Sequence, residues 1–394
     1  MALRILHVTP YSAEAWAYGG IPRLVGSLTR GLARRGHAVA VCTTDARDES
    51  ARLPAADRGL HDGVDVRVFP NLSNRLAYHL QFFLPIGMNA FLRREARGFD
   101  VAHLHACRNI PGALAAYHFG QAGRPYVLAP NGTAPIIERR RTAKRIFDAV
   151  AGNRVLRGAA RTLAVSNAER QQLVDLHVAA PSIRVIPNPI DRADEERARH
   201  AVRGRFRARR RLTAAPIVLF LGRLSPRKRL DVLIRAFAQL TSPAQLVIAG
   251  NDMGAEADAR ALVRDLGVGP RAAFAGLLQD DERFDALADA DVTVYPSEHE
   301  IFGLVPLESL LVGTPVVVAG DSGCGEVIRQ TGGGLIVPVG DAAALRFAID
   351  VVLANHERWR ADAAAAAARA RALYGEENVC AQMEAMYAEV AGAR

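Results

Sequence analysis

Short apolar segments alternate with amphipathic helical segments along most of this 394-residue chain, and this alternation limits the folds it can adopt. Strands that are apolar on both faces belong to parallel sheets covered by helices on both sides. Predicted strands in the first half are residues 3–8, 38–43, 64–69, 100–105, 125–129, 162–166 and 183–187. Those in the second half are residues 217–221, 245–249, 272–275, 291–295, 315–318 and 335–337. The pattern predicts an α/β protein with two doubly wound parallel-sheet domains.

Helical segments separate these strands, and a charged segment near the middle of the chain suggests where the domains divide. The predicted helices are residues 22–35, 77–97, 111–121, 167–177, 229–240, 255–266, 281–288 and 304–312, with an alanine-rich helical tail from residue 361. Residues 191–212 are charged and lack an apolar period, which is typical of a linker. We therefore expect a first domain over residues 1–190, a second over 213–372, and a terminal helix over 373–394. Ligands of such sheets bind at the carboxyl ends of the strands, so the expected site is a cleft between the domains.

Composition excludes several classes of protein. Half of the residues are hydrophobic and 23% are charged, which suits a globular protein and excludes disorder over most of the chain. No apolar segment approaches the roughly 20 residues of a membrane-spanning helix, and no signal-peptide pattern follows Met1. Cysteines 42, 107, 324 and 380 are isolated, without the spacing of a metal or redox site. We expect a cytoplasmic protein without a bound metal.

The net charge of +9 is concentrated in two basic clusters, residues 138–145 and 203–211. One interpretation is a solvated helix face. The other is a contact with an anionic surface, either phospholipid headgroups at the inner membrane face or a phosphorylated acceptor. Nucleic acid is not an expected partner, because the clusters contain few interleaved aromatic residues and no known binding motif.

The segment from Glu300 to Glu308 has the pattern of a phosphate-binding helix start. An apolar strand at residues 291–295 leads into it, and Gly303 precedes a helix with a proline in its first turn. The first N–H groups of a helix have no partner within it and bind anions. Two carboxylates beside a phosphate would be repelled by it, so Glu300 and Glu308 are better explained as partners of sugar and ribose hydroxyls.

A second loop of the same half carries two cations. Arg223 and Lys228 follow the strand at residues 217–221, in the sequence Gly222-Arg223-Leu224-Ser225-Pro226-Arg227-Lys228. Cations at the carboxyl end of a strand can neutralise a diphosphate, including the charge that builds on a departing one. A solvated basic loop is the alternative interpretation for Arg227 and Arg229.

Polar residues also follow strands of the first half. The pair Gly19-Gly20 precedes a helix, where a glycine allows close approach of an anion, although such pairs more often form plain turns. His103 and His105 alternate on one face of the strand at residues 100–105, and Arg108 and Asn109 follow it. His103 is better explained by packing, and His105 by a functional role. Asn131 lies at the polar end of the next strand.

Together these motifs resemble glycosyltransferase family 4, whose retaining enzymes have the GT-B architecture of two Rossmann-like domains. The resemblance covers essentially the full length and includes the glycine pair, the His-x-His strand end, Gly-Arg…Lys, the two-glutamate motif and the helical tail. In the family, that tail packs back onto the first domain. One departure is Ala129-Pro130-Asn131-Gly132, where some members carry a histidine.

The resemblance implies roles for individual residues. Glu300, His105, Arg223 and Lys228 are the implied catalytic residues, and Arg108 and Asn131 lie on the acceptor side. The implied ligands of the donor diphosphate are Gly20, Arg223, Lys228, Gly303, Leu304 and Val305. Glu308 and Leu278 are the implied contacts of the nucleoside. No cofactor and no metal are expected, because the cations stabilise the leaving diphosphate.

The implied reaction is transfer of a hexose from a UDP- or GDP-sugar to a sugar or lipid-linked acceptor, in the synthesis of a cell-surface polysaccharide or glycolipid. Alternatives are an inactive nucleotide-sugar-binding protein and a nucleotide-sugar epimerase. The first alternative expects the loss of Glu300, Arg223 or Lys228, and all three are present. The second expects an additional acid–base pair, which the motifs do not supply.

Overall fold

The computed structural model describes residues 2–15, 18–54, 57–136, 141–321 and 323–392. They form two compact units. The first contains the chain up to Asp191 together with the residues from Glu376 onward, and the second is Arg192–Gly375. The prediction of two doubly wound parallel-sheet domains is confirmed.

The first unit is built on one sheet with helices on both faces. Its strands are β1 (Arg4–Val8), β2 (Ala38–Thr44), β3 (Gly59–His61), β4 (Val64–Phe69), β5 (Val101–His105), β6 (Tyr126–Ala129), β7 (Arg161–Ala164) and β8 (Ile183–Val185). Its helices up to Asp191 are α1 (Gly20–Arg34), α2 (Asn74–Leu80), α3 (Met88–Glu95), α4 (Ile110–Gln121), α5 (Arg141–Phe147), α6 (Asn153–Gly158) and α7 (Asn167–Asp175). The strand order is β3-β4-β2-β1-β5-β6-β7-β8, and among these pairs only β3–β4 is antiparallel.

The second unit repeats the plan on a shorter sheet. Its strands are β9 (Ile217–Leu221), β10 (Gln245–Ala249), β11 (Ala272–Gly276), β12 (Val292–Tyr295), β13 (Val316–Ala319) and β14 (Gly334–Val337). Its helices are α8 (Arg192–His200), α9 (Arg205–Arg209), α10 (Leu230–Ala238), α11 (Glu256–Asp265), α12 (Asp280–Asp289), α13 (Leu304–Leu311), α14 (Gly323–Thr331), α15 (Ala342–Ala354) and α16 (His356–Tyr374). The strand order is β11-β10-β9-β12-β13-β14.

The final helix, α17 (Glu376–Gly392), belongs to the first unit. Its buried face, which includes Val379, Met383 and Tyr387, joins the core formed by β1, β5 and α1. Ion pairs reinforce this packing at the surface, among them Arg35 with Glu384 and Arg184 with Glu389. The chain therefore leaves the first unit after β8 and returns to it after Tyr374.

Two predicted segments differ in the structure. The single helix expected over residues 77–97 is interrupted, and α2 and α3 flank a loop that contains Pro85 and Gly87. Proline removes a helical N–H donor, and Gly87 adopts the left-handed backbone (φ +88°), so the helix cannot continue through this loop. The segment expected to be a linker, residues 191–212, instead forms α8 and α9 within the second unit.

Acidic residues of the second unit explain why that charged segment folds. Arg203 pairs with Asp291 at 2.9 Å and Arg210 with Glu282 at 2.8 Å. Asp289 accepts hydrogen bonds from the backbone N–H groups of Gly204 and Arg207. The basic cluster at residues 203–211 is thus largely neutralised by acids of α12 and by Asp291, and the anionic-surface interpretation is not needed for it.

Candidate functional site

Each sheet has one point where the strand order reverses, and ligands of doubly wound sheets bind there. In the second unit the chain runs from β9 outward to β11 and then crosses to β12 on the other side of β9. The crevice therefore opens beyond the carboxyl ends of β9 and β12. The loops that leave these two strands carry Arg223 and Lys228 on one side and Glu300 on the other.

The structure joins these two loops through a buried charged group. The ammonium of Lys228 donates to the carboxylate of Glu300 and to the hydroxyl of Tyr295, the last residue of β12. Tyr295 in turn donates to Glu300 Oε2 at 3.3 Å. The Lys228 side chain is 7% exposed and that of Glu300 is 21% exposed, so the pair is shielded but reachable at the Glu300 end.

The charges of this group decide the state of Glu300. Burial works against a negative charge there, but the ion pair and hydrogen bond with Lys228 outweigh it. Together with the weaker effects of Arg227 and Arg223, they hold the pKa of the Glu300 carboxyl below its ordinary value. Burial raises the pKa of Tyr295 well above its ordinary value, and the Glu300 charge adds to the effect, so the phenol stays protonated. Glu300 is ionised at neutral pH.

Arg223 is the cation of this loop that remains available. Its side chain is half-buried, and no carboxylate among the described residues pairs with it. Because Lys228 and Glu300 offset each other, Arg223 gives the group a net positive charge. A shielded guanidinium without a carboxylate partner is suited to bind an anion such as a phosphate.

The start of α13 faces the same crevice and is fixed by close packing. The backbone N–H of Gly323 donates to the Glu300 carbonyl at 2.8 Å, and that of His299 donates to Asp321 at 2.9 Å. A Cβ atom at Gly323 would lie 1.9 Å from the Ile301 carbonyl oxygen. One at Gly303 would lie 2.6 Å from Cys324 Sγ. Glycine is therefore required at both positions, where the start of α14 supports the start of α13.

The predicted nucleoside residues lie in the same unit but outside this charged group. Glu308 is inside α13, with its carboxylate 3.5 Å from Arg283, which also pairs with Asp194 at 2.7 Å. Leu278 is buried in the segment between β11 and α12. The structure places both residues without testing their roles.

In the first unit, the corresponding crossover lies between β1 and β5. Gly19 takes a left-handed backbone (φ +101°) and caps α1, which begins at Gly20. The preceding loop is held by stacking of Tyr11 on Tyr18, and both rings contact Phe83. The predicted phosphate-binding glycine therefore lies on a loop that aromatic packing keeps in place.

Two of the other predicted residues of the first unit, Arg108 and His105, have more contacts within the protein than predicted. Arg108 binds Asp148 through two nitrogens at 2.8 Å and also donates to the carbonyls of Thr133 and Ala134. His105 is fully buried, and its Nε2 lies 3.0 Å from Nδ1 of His7. Asn131 has a left-handed backbone, and its Oδ1 has no partner within the described part of the chain.

Sequence reasoning missed three parts of this site. Tyr295 was assigned only as a strand residue, although a tyrosine ending a buried strand beside charged loops needs a polar partner. Asp321 and the glycines of the α14 start are distant in sequence from Glu300, so no local pattern connects them. Glu169, fully buried, accepts hydrogen bonds from the N–H groups of Gly132 and Val165 and so fixes the loop that carries Asn131.

Known families match both units. Residues 18–194 match the model described as Glycosyltransferase Family 4, and residues 203–371 match that described as Glycosyl transferases group 1. A D-inositol 3-phosphate glycosyltransferase of Acidothermus cellulolyticus is 32% identical over 391 residues, which cover 90% of this chain and 82% of that protein. A protein of the same name from Kineococcus radiotolerans is 29% identical, with 94% and 91% covered.

Solved structures share the fold. Anabaena HepE in complex with UDP superposes with a TM-score of 0.76 at 20% identity, covering 98% of this chain and 100% of that one. Sucrose-phosphate synthase of Thermosynechococcus elongatus gives a TM-score of 0.75 at 23% identity, with both chains fully covered. Two parallel-sheet α/β units with these neighbours define the GT-B class of glycosyltransferases. The chain belongs to glycosyltransferase family 4, and it is an enzyme that uses a nucleotide sugar.

Proposed function

We propose that this enzyme transfers a hexose from a UDP-sugar to a lipid-linked acceptor with retention of anomeric configuration, in the synthesis of a cell-surface polysaccharide or glycolipid. The observation that carries the donor assignment is Arg223, shielded and without a carboxylate partner, beside the Lys228–Glu300 pair. UDP is chosen over GDP because HepE, which shares the fold, has been solved with UDP and with UDP-glucose.

In this proposal the charged group holds the donor. An ammonium has three N–H donors, and Tyr295 and Glu300 take two of those of Lys228, so the third reaches a phosphate oxygen. Arg223 binds the diphosphate bidentately, and the N–H groups of Gly303, Leu304 and Val305 cap the distal phosphate. The second carboxylate oxygen of Glu300 accepts a hydrogen bond from a donor-sugar hydroxyl.

The chemistry follows from where charge develops. Breaking the bond between sugar and diphosphate leaves an oxocarbenium-like sugar and a diphosphate that gains negative charge. Fixed cations and the start of α13 stabilise that charge without a metal. A phosphate oxygen then accepts the proton of the attacking hydroxyl on the same face of the sugar, which retains the configuration. His105 receives no step, because its ring is buried against His7.

The nucleoside contacts extend this arrangement. Glu308 binds the ribose hydroxyls, and the backbone near Leu278 meets the base. A carboxylate suits a pair of neutral hydroxyls, since it accepts two hydrogen bonds at once. Glu308→Gln should therefore lower the affinity of the protein for UDP and leave its affinity for inorganic diphosphate unchanged.

The first unit supports an apolar acceptor over a phosphorylated one. Arg108, the cation predicted on the acceptor side, is neutralised by Asp148. Beside the aromatic loop that precedes Gly20, an outward-facing group of apolar side chains is exposed by 38 to 61%: Leu72, Leu76, Leu80, Phe82 and Ile86. These residues offer a surface to a lipid chain. Asn131 supplies an unpaired amide oxygen for a sugar hydroxyl.

The donor experiment is a thermal-shift series with UDP, GDP and their common sugars. A ligand at 100 times its Kd stabilises by about 2.7 kcal/mol, a shift that is readily measured. UDP should shift the melting temperature of the wild type more than that of Arg223→Gln. Failure of both UDP and GDP to shift the wild type would contradict the donor assignment. The products with the best donor are then examined by NMR, where a retained anomeric configuration is expected.

The acceptor experiment compares a lipid-linked sugar with soluble acceptors, including inositol 3-phosphate. We expect the lipid-linked acceptor to be preferred and Leu76→Ser/Phe82→Ser to lower that preference without changing donor affinity. Preference for inositol 3-phosphate would contradict this assignment and leave the donor assignment standing.

Contact with an anionic membrane is part of the proposal. None of α5 is buried, and Ile146 and Val150 near its end are exposed beside Arg141 and Arg145. Residues 138–140 of the predicted basic cluster lie outside the described residues. No helix in the described residues is long and apolar enough to cross a membrane.

Liposome flotation tests this contact. Ile146→Glu/Val150→Glu should abolish co-flotation with anionic vesicles at low salt, and Phe347→Glu, an equally exposed apolar position of the second unit, should not. Unchanged flotation of Ile146→Glu/Val150→Glu would contradict the proposal that this surface contacts the membrane.

A further inference from the structure

A buried arginine of the second unit, Arg283 on α12, lies between two carboxylates. Its guanidinium pairs with Asp194 on α8 at 2.7 Å and lies 3.5 Å from the carboxylate of Glu308 on α13. The side chains of Arg283, Asp194 and Glu308 are 13%, 6% and 6% exposed. One end of this buried charged group is therefore the carboxylate assigned to the ribose.

Burial explains why a cation is needed at this place. An ionised carboxylate that is removed from water is stable only when a charged or hydrogen-bonded partner replaces the solvent. Arg283 faces both acids, whereas Arg197, which reaches Asp194 at 3.2 Å, is 33% exposed and also pairs with Asp280. Arg283 therefore supplies buried positive charge beside Glu308.

The two acids contact Arg283 in different ways. Asp194 accepts a hydrogen bond from the guanidinium at 2.7 Å. The 3.5 Å contact with Glu308 is an ion pair that is longer than an ordinary hydrogen bond. It attracts the Glu308 carboxylate without itself using an acceptor site on it. Asp194 thus fixes the guanidinium, and the guanidinium sets the position and charge of Glu308.

The packing around Arg283 also holds it in place. Its guanidinium carbon lies 4.8 Å from the centre of the Phe284 ring, which is fully buried. A cation over an aromatic face is attracted to it. Arg283 lies in the first turn of α12, and the segment that leads into this helix contains Leu278, the implied contact of the base. The start of α12 thus connects the two residues assigned to the nucleoside.

We infer that Arg283 is a positioning residue that holds Glu308 for recognition of the ribose, and that Asp194 holds Arg283. The inference rests on the proposed role of Glu308 as a ligand of the ribose hydroxyls. Arg283 acts through that carboxylate and is not itself a ligand of the nucleotide, because its guanidinium lies between the two acids. The preference for a ribonucleotide over a 2′-deoxyribonucleotide therefore depends on a residue of α12.

Calorimetric titration of UDP and of 2′-deoxy-UDP into the full-length protein tests this inference. The wild type should bind UDP about 10- to 100-fold more tightly than 2′-deoxy-UDP, as expected for hydrogen bonds to a charged group. Arg283→Met should reduce this ratio to less than about threefold and leave the affinity for inorganic diphosphate unchanged. A purely structural role of Arg283 would change the affinities for both nucleotides alike, so the ratio separates positioning from stability.

Further variants control for the loss of an arginine. Arg210→Met is the matched control, because Arg210 also pairs with an acid of α12, Glu282, and also lies over a phenylalanine ring; it should keep the wild-type ratio. Arg283→Lys keeps a positive charge beside both acids and should retain most of the ratio. Should Arg283→Met fail to fold, Arg283→Met/Asp194→Asn removes the cation together with one of its acids, and the same loss of the ratio is expected.

Two results would overturn the inference. One is a wild-type ratio in whichever of these Arg283→Met variants folds, while Glu308→Gln loses the ratio; the role of Glu308 then stands without Arg283. The other is the absence of a preference in the wild type, or a wild-type ratio in Glu308→Gln, which contradicts the proposed role of Glu308 and with it that of Arg283. Binding of inorganic diphosphate is measured separately and does not depend on either result.

Discussion

Replacing Arg223 by glutamine should separate catalysis from stability more cleanly than any other change at this site. Lys228 and Glu300 offset each other, so the variant takes the net charge of the three-residue group from positive to neutral. Arg223 has no carboxylate partner in the described chain, and its loss leaves no buried charge unpaired. The free energy of unfolding should therefore change by no more than about 0.5 kcal/mol, as for ordinary surface substitutions, and the melting temperature should change little.

The loss of rate follows from the charge. Two unit charges about 5 Å apart interact by about 3.3 kcal/mol at an effective dielectric constant of about 20. If the leaving diphosphate gains one such charge, the rate should fall by about 250-fold. Removal of a single preorganised donor typically costs about 100- to 1000-fold, which brackets this value.

The assay is release of UDP from the preferred UDP-sugar at saturating acceptor, with kcat and KM determined separately. Arg227→Gln, on the same loop, is the matched control and should change kcat less than about threefold. A wild-type kcat in Arg223→Gln would refute the reasoning, because then the guanidinium does not stabilise the departing diphosphate. A fall in kcat accompanied by unfolding would refute the claim that Arg223 does not contribute to the stability of the fold.

Three further tests concern the energetics of the fold around the site. Lys228→Met leaves Glu300 unpaired, and because that carboxylate is 21% exposed we expect about 2–3 kcal/mol of destabilisation. Adding Glu300→Gln should largely restore the free energy of unfolding measured in urea. No recovery in the double variant would contradict the pairing. Burial raises the pKa of Glu169 to about 7, so its stabilising effect is full below its unfolded pKa near 4.5 and is lost as pH rises to about 7. The loss should be about 3 kcal/mol, and Glu169→Gln should flatten the difference in unfolding free energy between pH 5 and 8. Gly323→Ala should destabilise by more than about 2 kcal/mol, because its Cβ would overlap the Ile301 carbonyl, whereas Gly120→Ala, in an open position of α4, should stabilise by about 0.5–1 kcal/mol.

The fold was predictable because its signal is repeated and local. Apolar strands such as β9 and β12 need no distant information to be recognised, and their alternation with helices fixes a parallel sheet. The interrupted helix at α2–α3 was missed because Pro85 and Gly87 were outweighed by the apolar residues around them. The folding of residues 192–209 was not predictable from their own charges, since it depends on acids about 80 residues later, such as Asp285 and Asp289.

The site was partly predictable for the same reason. Arg223, Lys228 and Glu300 lie on loops that follow the strands β9 and β12, and strands that end at one sheet edge bring such loops together. The ion pair of Lys228 with Glu300, and the hydrogen bonds of both to Tyr295, could not be predicted from spacing, because they depend on side-chain directions across two loops. Arg108 shows the converse case. Its position after β5 suggested a ligand, but the partner that occupies it, Asp148, lies on a segment with no recognisable pattern.

Calorimetric titration of UDP and of uridine into the wild type and Arg223→Gln tests the central claim most directly. Both proteins should bind uridine alike, since the nucleoside contacts are unchanged. UDP should bind the wild type more tightly than the variant by about 10- to 100-fold, as expected for hydrogen bonds to a charged group. Equal affinity of the two proteins for UDP would contradict the assignment of the diphosphate to the crevice beyond β9 and β12.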